Sequence, residues 1–135
     1  MLRCLIVDDS PRFLVAARGL LEREGIAVVG VASTGAEAAQ QVRRLQPDVV
    51  LVDIDLGGQS GFDVVRQLHR IGHTAALRMI LISTHAEQDY ADLIAESPAI
   101  GFLAKTDLSA RAIGDLFHRH DGSAPEEPVT GPPER

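Results

Sequence analysis

The chain has 135 residues, 45% of them hydrophobic, which suits one domain of ordinary size and excludes a wholly disordered chain. Thirteen basic against nineteen acidic residues give a formal charge of −6, which argues against nucleic-acid binding through phosphate neutralisation. A single cysteine, Cys4, cannot form an internal disulfide and is typical of a cytoplasmic protein. Apolar runs are too short to cross a membrane, so we expect no membrane partner.

Apolar runs of strand length alternate with segments of helical period along the chain. The first strand ends at Asp8 and Asp9, and Ser10 followed by Pro11 predicts the cap and first residue of a helix that Gly25 closes. The predicted strands are 2–7, 26–32, 49–52, 77–82 and 100–104. The later helices are predicted over 36–45, 62–71, 86–95 and 108–119.

Five strand–helix units predict one α/β domain over residues 1–120, with a parallel sheet covered by helices on both faces. Residues 121–135 contain four of the seven prolines and few apolar residues. Such a segment buries too little apolar surface to offset its ordering entropy, so we predict a flexible tail there.

Charged and polar residues follow four of the five strands. They are Asp8, Asp9, Asp53, Ser83 and Lys105, the last of which is the only lysine beside twelve arginines. The carboxyl ends of parallel strands meet at one edge of the sheet, so these side chains are expected to share one crevice. Three close carboxylates require a cation, and oxygen ligands suit Mg²⁺. Lysine can meet a phosphate as a point charge, and Asp53 is then free to act as a nucleophile that forms an aspartyl phosphate.

This set of strand ends resembles the receiver domain of bacterial two-component response regulators, over about residues 2–119. The resemblance implies a flavodoxin-like fold, a doubly wound five-stranded parallel sheet with strand order 2-1-3-4-5. It implies that Asp53 is the phosphoacceptor and that Asp8 and Asp9 hold Mg²⁺. It also implies that Ser83 and Lys105 contact the phosphoryl group.

The same resemblance assigns roles to residues beside the strand ends. Phe102 matches the family's aromatic residue that turns inward on phosphorylation. Gly61, eight residues after Asp53, matches the family's loop glycine. The backbone carbonyl of Asp55 would be a further Mg²⁺ ligand. The side chains of Asp55, Thr84 and His85 would modulate access to Asp53.

As a receiver, the chain would be a signalling phosphoacceptor that catalyses at most its own phosphorylation and dephosphorylation. Its partners would be a histidine kinase or phosphotransfer protein and a downstream output protein, with a homodimer also allowed. The sequences of residues 53–63 and 101–109 most resemble those of receivers fused to a helix-turn-helix output domain. We expect a single-domain regulator here, without direct nucleic-acid binding.

Two alternatives remain at this point. Asp53 and Asp55 resemble the DxD nucleophile motif of haloacid-dehalogenase-type phosphatases, in which the second Asp is the general acid/base. The other alternative is a receiver-like binding module that works without phosphorylation. Thr84 and Thr106, which depart from the common receiver pattern, keep that second alternative open.

Overall fold

The computed structural model describes residues 1–71 and 77–122, and it contains a five-stranded parallel sheet in the order β2-β1-β3-β4-β5. The strands are β1 Arg3–Val7, β2 Ala27–Ala32, β3 Val49–Asp53, β4 Arg78–Ser83 and β5 Gly101–Ala104. Both the predicted sheet and its predicted strand order are confirmed. Each strand lies within two residues of its predicted bounds.

Within residues 1–71 and 77–122, five α-helices connect or follow the strands. They are α1 Pro11–Arg23, α2 Gly35–Leu45, α3 Gly61–Ile71, α4 Ala91–Glu96 and α5 Ala110–Gly122. Short 3₁₀ segments, Glu87–Tyr90 and Lys105–Asp107, precede α4 and α5. Within the residues described, no helix is long and apolar enough to span a membrane.

In the described part of the chain, two hydrophobic clusters, one on each face of the sheet, form the core. Alternation along β1 shows the division, since Leu5 and Val7 pack in the cluster with α2 and α3, whereas Cys4 and Ile6 pack with α1 and α5. Every residue of β3 is buried, which explains its continuous apolar sequence. Burial raises the pKa of the Cys4 thiol to about 12, so Cys4 serves as a small apolar core residue.

Local sequence determines where α1 begins and ends. The Ser10 side chain accepts a hydrogen bond from the backbone N–H of Phe13 at 3.3 Å, and Pro11 is the first helical residue. Gly25, just after the helix, has φ of +94°, a conformation that an L side chain rarely adopts. The predicted cap, first turn and terminating glycine of α1 are all confirmed.

The structure departs from prediction around α4. A single helix is predicted over 86–95, but a 3₁₀ turn precedes an α-helix of six residues, neither of which contains a buried residue. Most residues of this segment are exposed, so few apolar contacts are available to stabilise a longer helix. At the other end, α5 extends to Gly122, past the predicted domain boundary at 120. The rest of the predicted tail, residues 123–135, lies outside the described residues.

Candidate functional site

The strand register brings the predicted site residues to one edge of the sheet. Val7 pairs with Val52, and Asp53 pairs with Ile82, so Asp8, Asp53 and Ser83 lie at the ends of neighbouring strands. Ser83 pairs with Ala104, the residue before Lys105. The parallel topology therefore places four strand ends beside one another, as the sequence predicts.

Three carboxylates form a cluster at this edge. Oxygens of Asp8, Asp9 and Asp53 all lie within 4.8 Å of one another. Asp8 and Asp53 are buried, whereas Asp9 is exposed, so the cluster is closed on its inner side and open to solvent on the outer side. We call these three carboxylates, together with Lys105, the acidic pocket.

Lys105 supplies a single positive charge to the three carboxylates. Its Nζ lies 2.7 Å from Asp8 Oδ2 and 3.2 Å from Asp53 Oδ2, and the contact with Asp53 is also a hydrogen bond. Burial lowers the pKa of the Lys105 ammonium, but the close carboxylates of Asp8 and Asp53 outweigh it and leave that pKa raised. Lys105 is therefore charged at neutral pH.

The pKa of Asp53 is set by opposing causes. Burial raises it most strongly and the charge of Asp8 raises it further, whereas the backbone N–H of Asp55 and the ammonium of Lys105 lower it. The Asp55 N–H donates to Asp53 Oδ1 at 3.2 Å. The net result is a raised pKa, which means that the protein holds the ionised form of Asp53 at a cost.

A backbone N–H orients the Asp8 carboxylate, and Gly61 lies in close contact with the strand that carries Asp53. The N–H of Ser10 donates to Asp8 Oδ1 at 2.9 Å, at the start of α1. Gly61, at the start of α3, lies directly against β3, where an added Cβ would overlap the Asp53 carbonyl oxygen and come within 2.7 Å of Ile54 Cα. The absence of a side chain at Gly61 therefore lets α3 approach the strand that carries Asp53.

The remaining predicted residues lie around the acidic pocket. Ser83 is buried, and its Oγ accepts a hydrogen bond from the backbone N–H of His85 at 2.9 Å, so its hydroxyl is engaged within its own loop. Thr84, His85 and Asp55 are exposed, and Phe102 is buried in the core cluster beside α2 and α3. The Ser83 hydroxyl contacts His85 at both its backbone N–H and its ring Nδ1.

One contact in the acidic pocket is absent from the sequence-based prediction. The ring of Phe13 lies beneath the Lys105 ammonium, whose Nζ is 4.4 Å from the ring centroid. Helical spacing identifies Phe13 only as a core-facing residue of α1. Nothing in the sequence links it to a lysine 92 positions later, because the contact depends on how α1 packs beside the end of β5.

The donor set of the acidic pocket fits a hard divalent cation. Its ligand atoms are all carboxylate oxygens, which Mg²⁺ prefers over nitrogen or sulfur ligands. One ammonium cannot neutralise three carboxylates, and the open side at Asp9 leaves room for the waters that Mg²⁺ retains. The residues present are thus suited to hold Mg²⁺.

Comparisons with known proteins agree with this geometry. The response regulator receiver domain is the family whose pattern matches the chain, over residues 4–113. PilH of Pseudomonas aeruginosa is 38% identical over 88 residues, covering 65% of this chain and 72% of PilH. The DNA-binding transcriptional activator EvgA of Escherichia coli K12 is 30% identical over 104 residues, covering 77% of this chain and 50% of EvgA.

A solved structure extends the similarity to the fold. The crystal structure of a LuxR-family two-component response regulator from Aurantimonas sp. SI85-9A1 is similar with a TM-score of 0.75 and 29% identity. The match covers 87% of this chain and 83% of that one. The chain spans about half the length of several curated relatives, EvgA among them.

Proposed function

Since the chain belongs to the response regulator receiver domain family of two-component systems, we propose that it accepts a phosphoryl group on Asp53. The observation that carries the proposal is the acidic pocket, in which Asp53 lies beside two further carboxylates and 3.2 Å from the Lys105 ammonium. Receivers are signalling proteins that interact with histidine kinases and output domains. The donor for this chain is accordingly a histidine kinase or a phosphotransfer protein.

The transfer itself requires little acid–base chemistry from the protein. An oxygen of the ionised Asp53 attacks the phosphorus of a phosphohistidine, so a P–O bond forms while the P–N bond breaks. The electron pair of the broken bond stays on the imidazole nitrogen of the donor. Lys105, which pairs with Asp8 and Asp53 before the reaction, would pair with a phosphoryl oxygen once Asp53 has reacted.

Receiver domains bind Mg²⁺ at an acidic pocket, and in this chain we assign the site to Asp8, Asp9 and Asp53 with the backbone carbonyl of Asp55. When bound, Mg²⁺ neutralises charge on the phosphoryl oxygens and so favours transfer onto a carboxylate. The chain's own contribution is to fix the carboxylates in advance. Ser10 N–H orients Asp8, and Asp55 N–H orients Asp53.

Phosphorylation is proposed to act on the rest of the domain through Ser83 and Phe102. The Ser83 hydroxyl, which accepts from the His85 N–H, would donate its own O–H to a phosphoryl oxygen, and Phe102 would respond to the resulting displacement of Ser83. Thr84, His85 and Asp55, exposed around the acidic pocket, would govern access to Asp53. The face that changes is formed by α4, β5 and α5, and it would bind the output partner or a second copy of the chain.

The output step is proposed to run through protein contact. EvgA is a DNA-binding activator, but this chain spans only half of it, and the aligned part here is an acidic receiver. Residues 1–122 contain 12 basic and 16 acidic residues, and their net charge of −4 disfavours contact with DNA phosphates. We therefore propose that residues 1–122 themselves bind no nucleic acid and that a partner or an attached domain carries the response.

Phosphorylation can be tested with a small phosphodonor. The protein is incubated with acetyl phosphate and Mg²⁺ and its intact mass is measured. We expect one phosphoryl adduct, removed by hydroxylamine as an acyl phosphate should be, and absent in Asp53→Asn. Asp63→Asn, an exposed carboxylate on α3, serves as the matched control and should retain the adduct.

Two other results would overturn the proposal. A folded protein that takes no adduct from acetyl phosphate or from histidine kinases would be a binding module that works without phosphorylation. Sustained hydrolysis of many phosphate esters, lost in Asp55→Asn, would favour the phosphatase alternative, with Asp55 as the general acid/base.

A further inference from the structure

The contact between Phe13 and Lys105 carries an inference that rests on the proposed function and deepens it. We propose that Phe13 is a positioning residue, whose ring holds the Lys105 ammonium against Asp8 and Asp53. The Nζ of Lys105 lies 4.4 Å from the ring centroid, 2.7 Å from Asp8 Oδ2 and 3.2 Å from Asp53 Oδ2. The ammonium is thus enclosed by two carboxylates and one aromatic face.

The geometry suits a cation–π interaction. A ring face carries partial negative charge, and an ammonium within about 6 Å of the centroid is attracted to it. The Lys105 side chain is only 13% exposed, so water competes weakly with the ring for the ammonium. An aliphatic side chain at position 13 would fill similar space without attracting the charge.

Phe13 is fixed in place by the same turn that fixes Asp8. The Ser10 N–H donates to Asp8 Oδ1 at 2.9 Å, and the Ser10 Oγ accepts from the Phe13 N–H at 3.3 Å. Pro11 restricts the backbone between them, since its ring sets φ for the first helical residue. Two partners of the ammonium, one charged and one aromatic, are therefore set by a single helix start.

The ring also limits where the lysine can go. Lys105 begins an exposed 3₁₀ turn, Lys105–Asp107, and its four-carbon stem is flexible. Phe13 and Lys105 line one groove beside the acidic pocket, together with Leu108 and Thr84. With the ring in place, the favourable positions for the ammonium face the carboxylates. We infer that Phe13 thereby keeps Lys105 ready to meet the phosphoryl group.

The first test uses the fact that Lys105 is the only lysine. Incorporating ¹³C,¹⁵N-lysine gives a single set of side-chain NMR signals without chemical modification. In the wild-type protein the Lys105 Hε protons should be shifted upfield by the Phe13 ring current. The shift should vanish in Phe13→Leu and persist in Phe13→Tyr, which keeps an aromatic ring. An unshifted signal in the wild-type protein would overturn the proposed contact.

The second test measures the consequence for phosphorylation. With acetyl phosphate and saturating Mg²⁺, Phe13→Leu should react more slowly by about fivefold, the size expected for one partly buried cation–π contact. Phe13→Tyr should react at close to the wild-type rate. Equal slowing in both variants, or none in Phe13→Leu, would overturn the positioning role. Thermal unfolding of each variant identifies any slowing that comes from lost stability.

The two measurements also separate this inference from the function on which it rests. The lysine spectrum is recorded without any phosphodonor, so it reports the Phe13 contact by itself. A wild-type protein that shows the ring-current shift but accepts no phosphoryl group would contradict the proposed function and leave the contact standing. A protein that is phosphorylated on Asp53 but lacks the shift would contradict only the role of Phe13.

Discussion

The acidic pocket and the segment around α4 are joined by the loop after Ser83 but are built in opposite ways. In the acidic pocket, backbone N–H groups and the ion pair with Lys105 hold the buried carboxylates, and Gly61 lets α3 pack closely against β3. The α4 segment, Glu87–Glu96, has no buried residue and contacts the core mainly through Tyr90 and Ile94, which are partly buried. One region is fixed before any ligand arrives, and the other is weakly attached.

This difference matches the two tasks proposed for a receiver. Phosphoryl transfer requires groups held in advance, because positioning them during the reaction would add to its barrier. A response requires a surface whose conformation can change at small cost, and segments with little burial open most easily. Ser83 lies between the two regions, at the end of β4, with its hydroxyl bonded to the loop that leads toward α4.

The largest expected effect compares leucines from a packed helix and from the α4 segment. Leu68 of α3 is fully buried, whereas Leu93 of α4 is 49% exposed. Leu68→Ala should lower the free energy of unfolding by about 3 kcal/mol, because it leaves a cavity in the core. Leu93→Ala should change it by less than about 0.5 kcal/mol. Urea denaturation followed by circular dichroism measures both, and similar losses would remove the contrast between the two regions.

A glycine pair tests how rigidly the acidic pocket is built. Gly61→Ala forces a Cβ against the Asp53 carbonyl and Ile54 Cα, which are backbone atoms that cannot rotate away. We expect a loss of about 2 kcal/mol in the free energy of unfolding. Gly58, three residues earlier, has nothing within 4 Å of an added Cβ. Gly58→Ala should therefore stay within about 0.5 kcal/mol of wild type. Normal stability of Gly61→Ala would mean that α3 can shift freely against β3.

Gly61 also shows what the sequence could and could not predict. The strands, their order and the shared edge follow from apolar runs that end at charged residues, and the acidic cluster at Asp8, Asp9 and Asp53 follows from that edge. The resemblance marks Gly61 as significant. The reason, a close approach of α3 to Asp53, depends on a distance through space that no local pattern contains.

The extent of α4 was predicted wrongly and the contact of Phe13 with Lys105 was missed, for related reasons. The apolar spacing near 86–95 permits a helix, but its length is decided by how few of those residues reach the core. Phe13 has the spacing of an ordinary core residue, and its contact with Lys105 arises only when α1 and β5 are packed together. Sequence patterns predict elements well and predict contacts between distant elements poorly.

A smaller effect is expected at the junction between the two regions. Ser83→Ala removes the acceptor of the His85 N–H, so the free energy of unfolding should fall by about 1 kcal/mol. Hydrogen exchange of the amides from 84 to 90 should also become faster. Ser83→Thr keeps a hydroxyl, and His85→Ala keeps the donating backbone N–H, so both should remain close to wild type. If Ser83→Ala has the same stability and amide exchange rates as Ser83→Thr and His85→Ala, the hydrogen bond between Ser83 and His85 does not stabilise the loop after β4.

The last prediction concerns the cost of ionising Asp53. Unlike the substitutions above, this one is expected to raise the free energy of unfolding. The pKa of Asp53 in the folded protein is raised above its ordinary 3.8, first by burial and then by Asp8. Its contribution to stability is therefore fully present below pH 3.8 and is lost as the pH rises through the raised value. Asn resembles the uncharged acid, so Asp53→Asn should be more stable than wild type at neutral pH without Mg²⁺. Because Lys105 and the Asp55 N–H offset part of the cost, we expect this gain to be the smallest effect.

Thermal unfolding across pH separates this electrostatic cause from a packing change at Asp53. The gain of Asp53→Asn over wild type should shrink as the pH falls toward 3.8, whereas a packing effect would persist at every pH. Asp92→Asn, an exposed carboxylate on α4, provides the matched control and should show little gain at any pH. Added Mg²⁺ should stabilise wild type more than Asp53→Asn, because the variant lacks one of the three carboxylates. A rigid acidic pocket requires all of these results, since the desolvation of ionised Asp53 and its repulsion from Asp8 persist there until a cation binds.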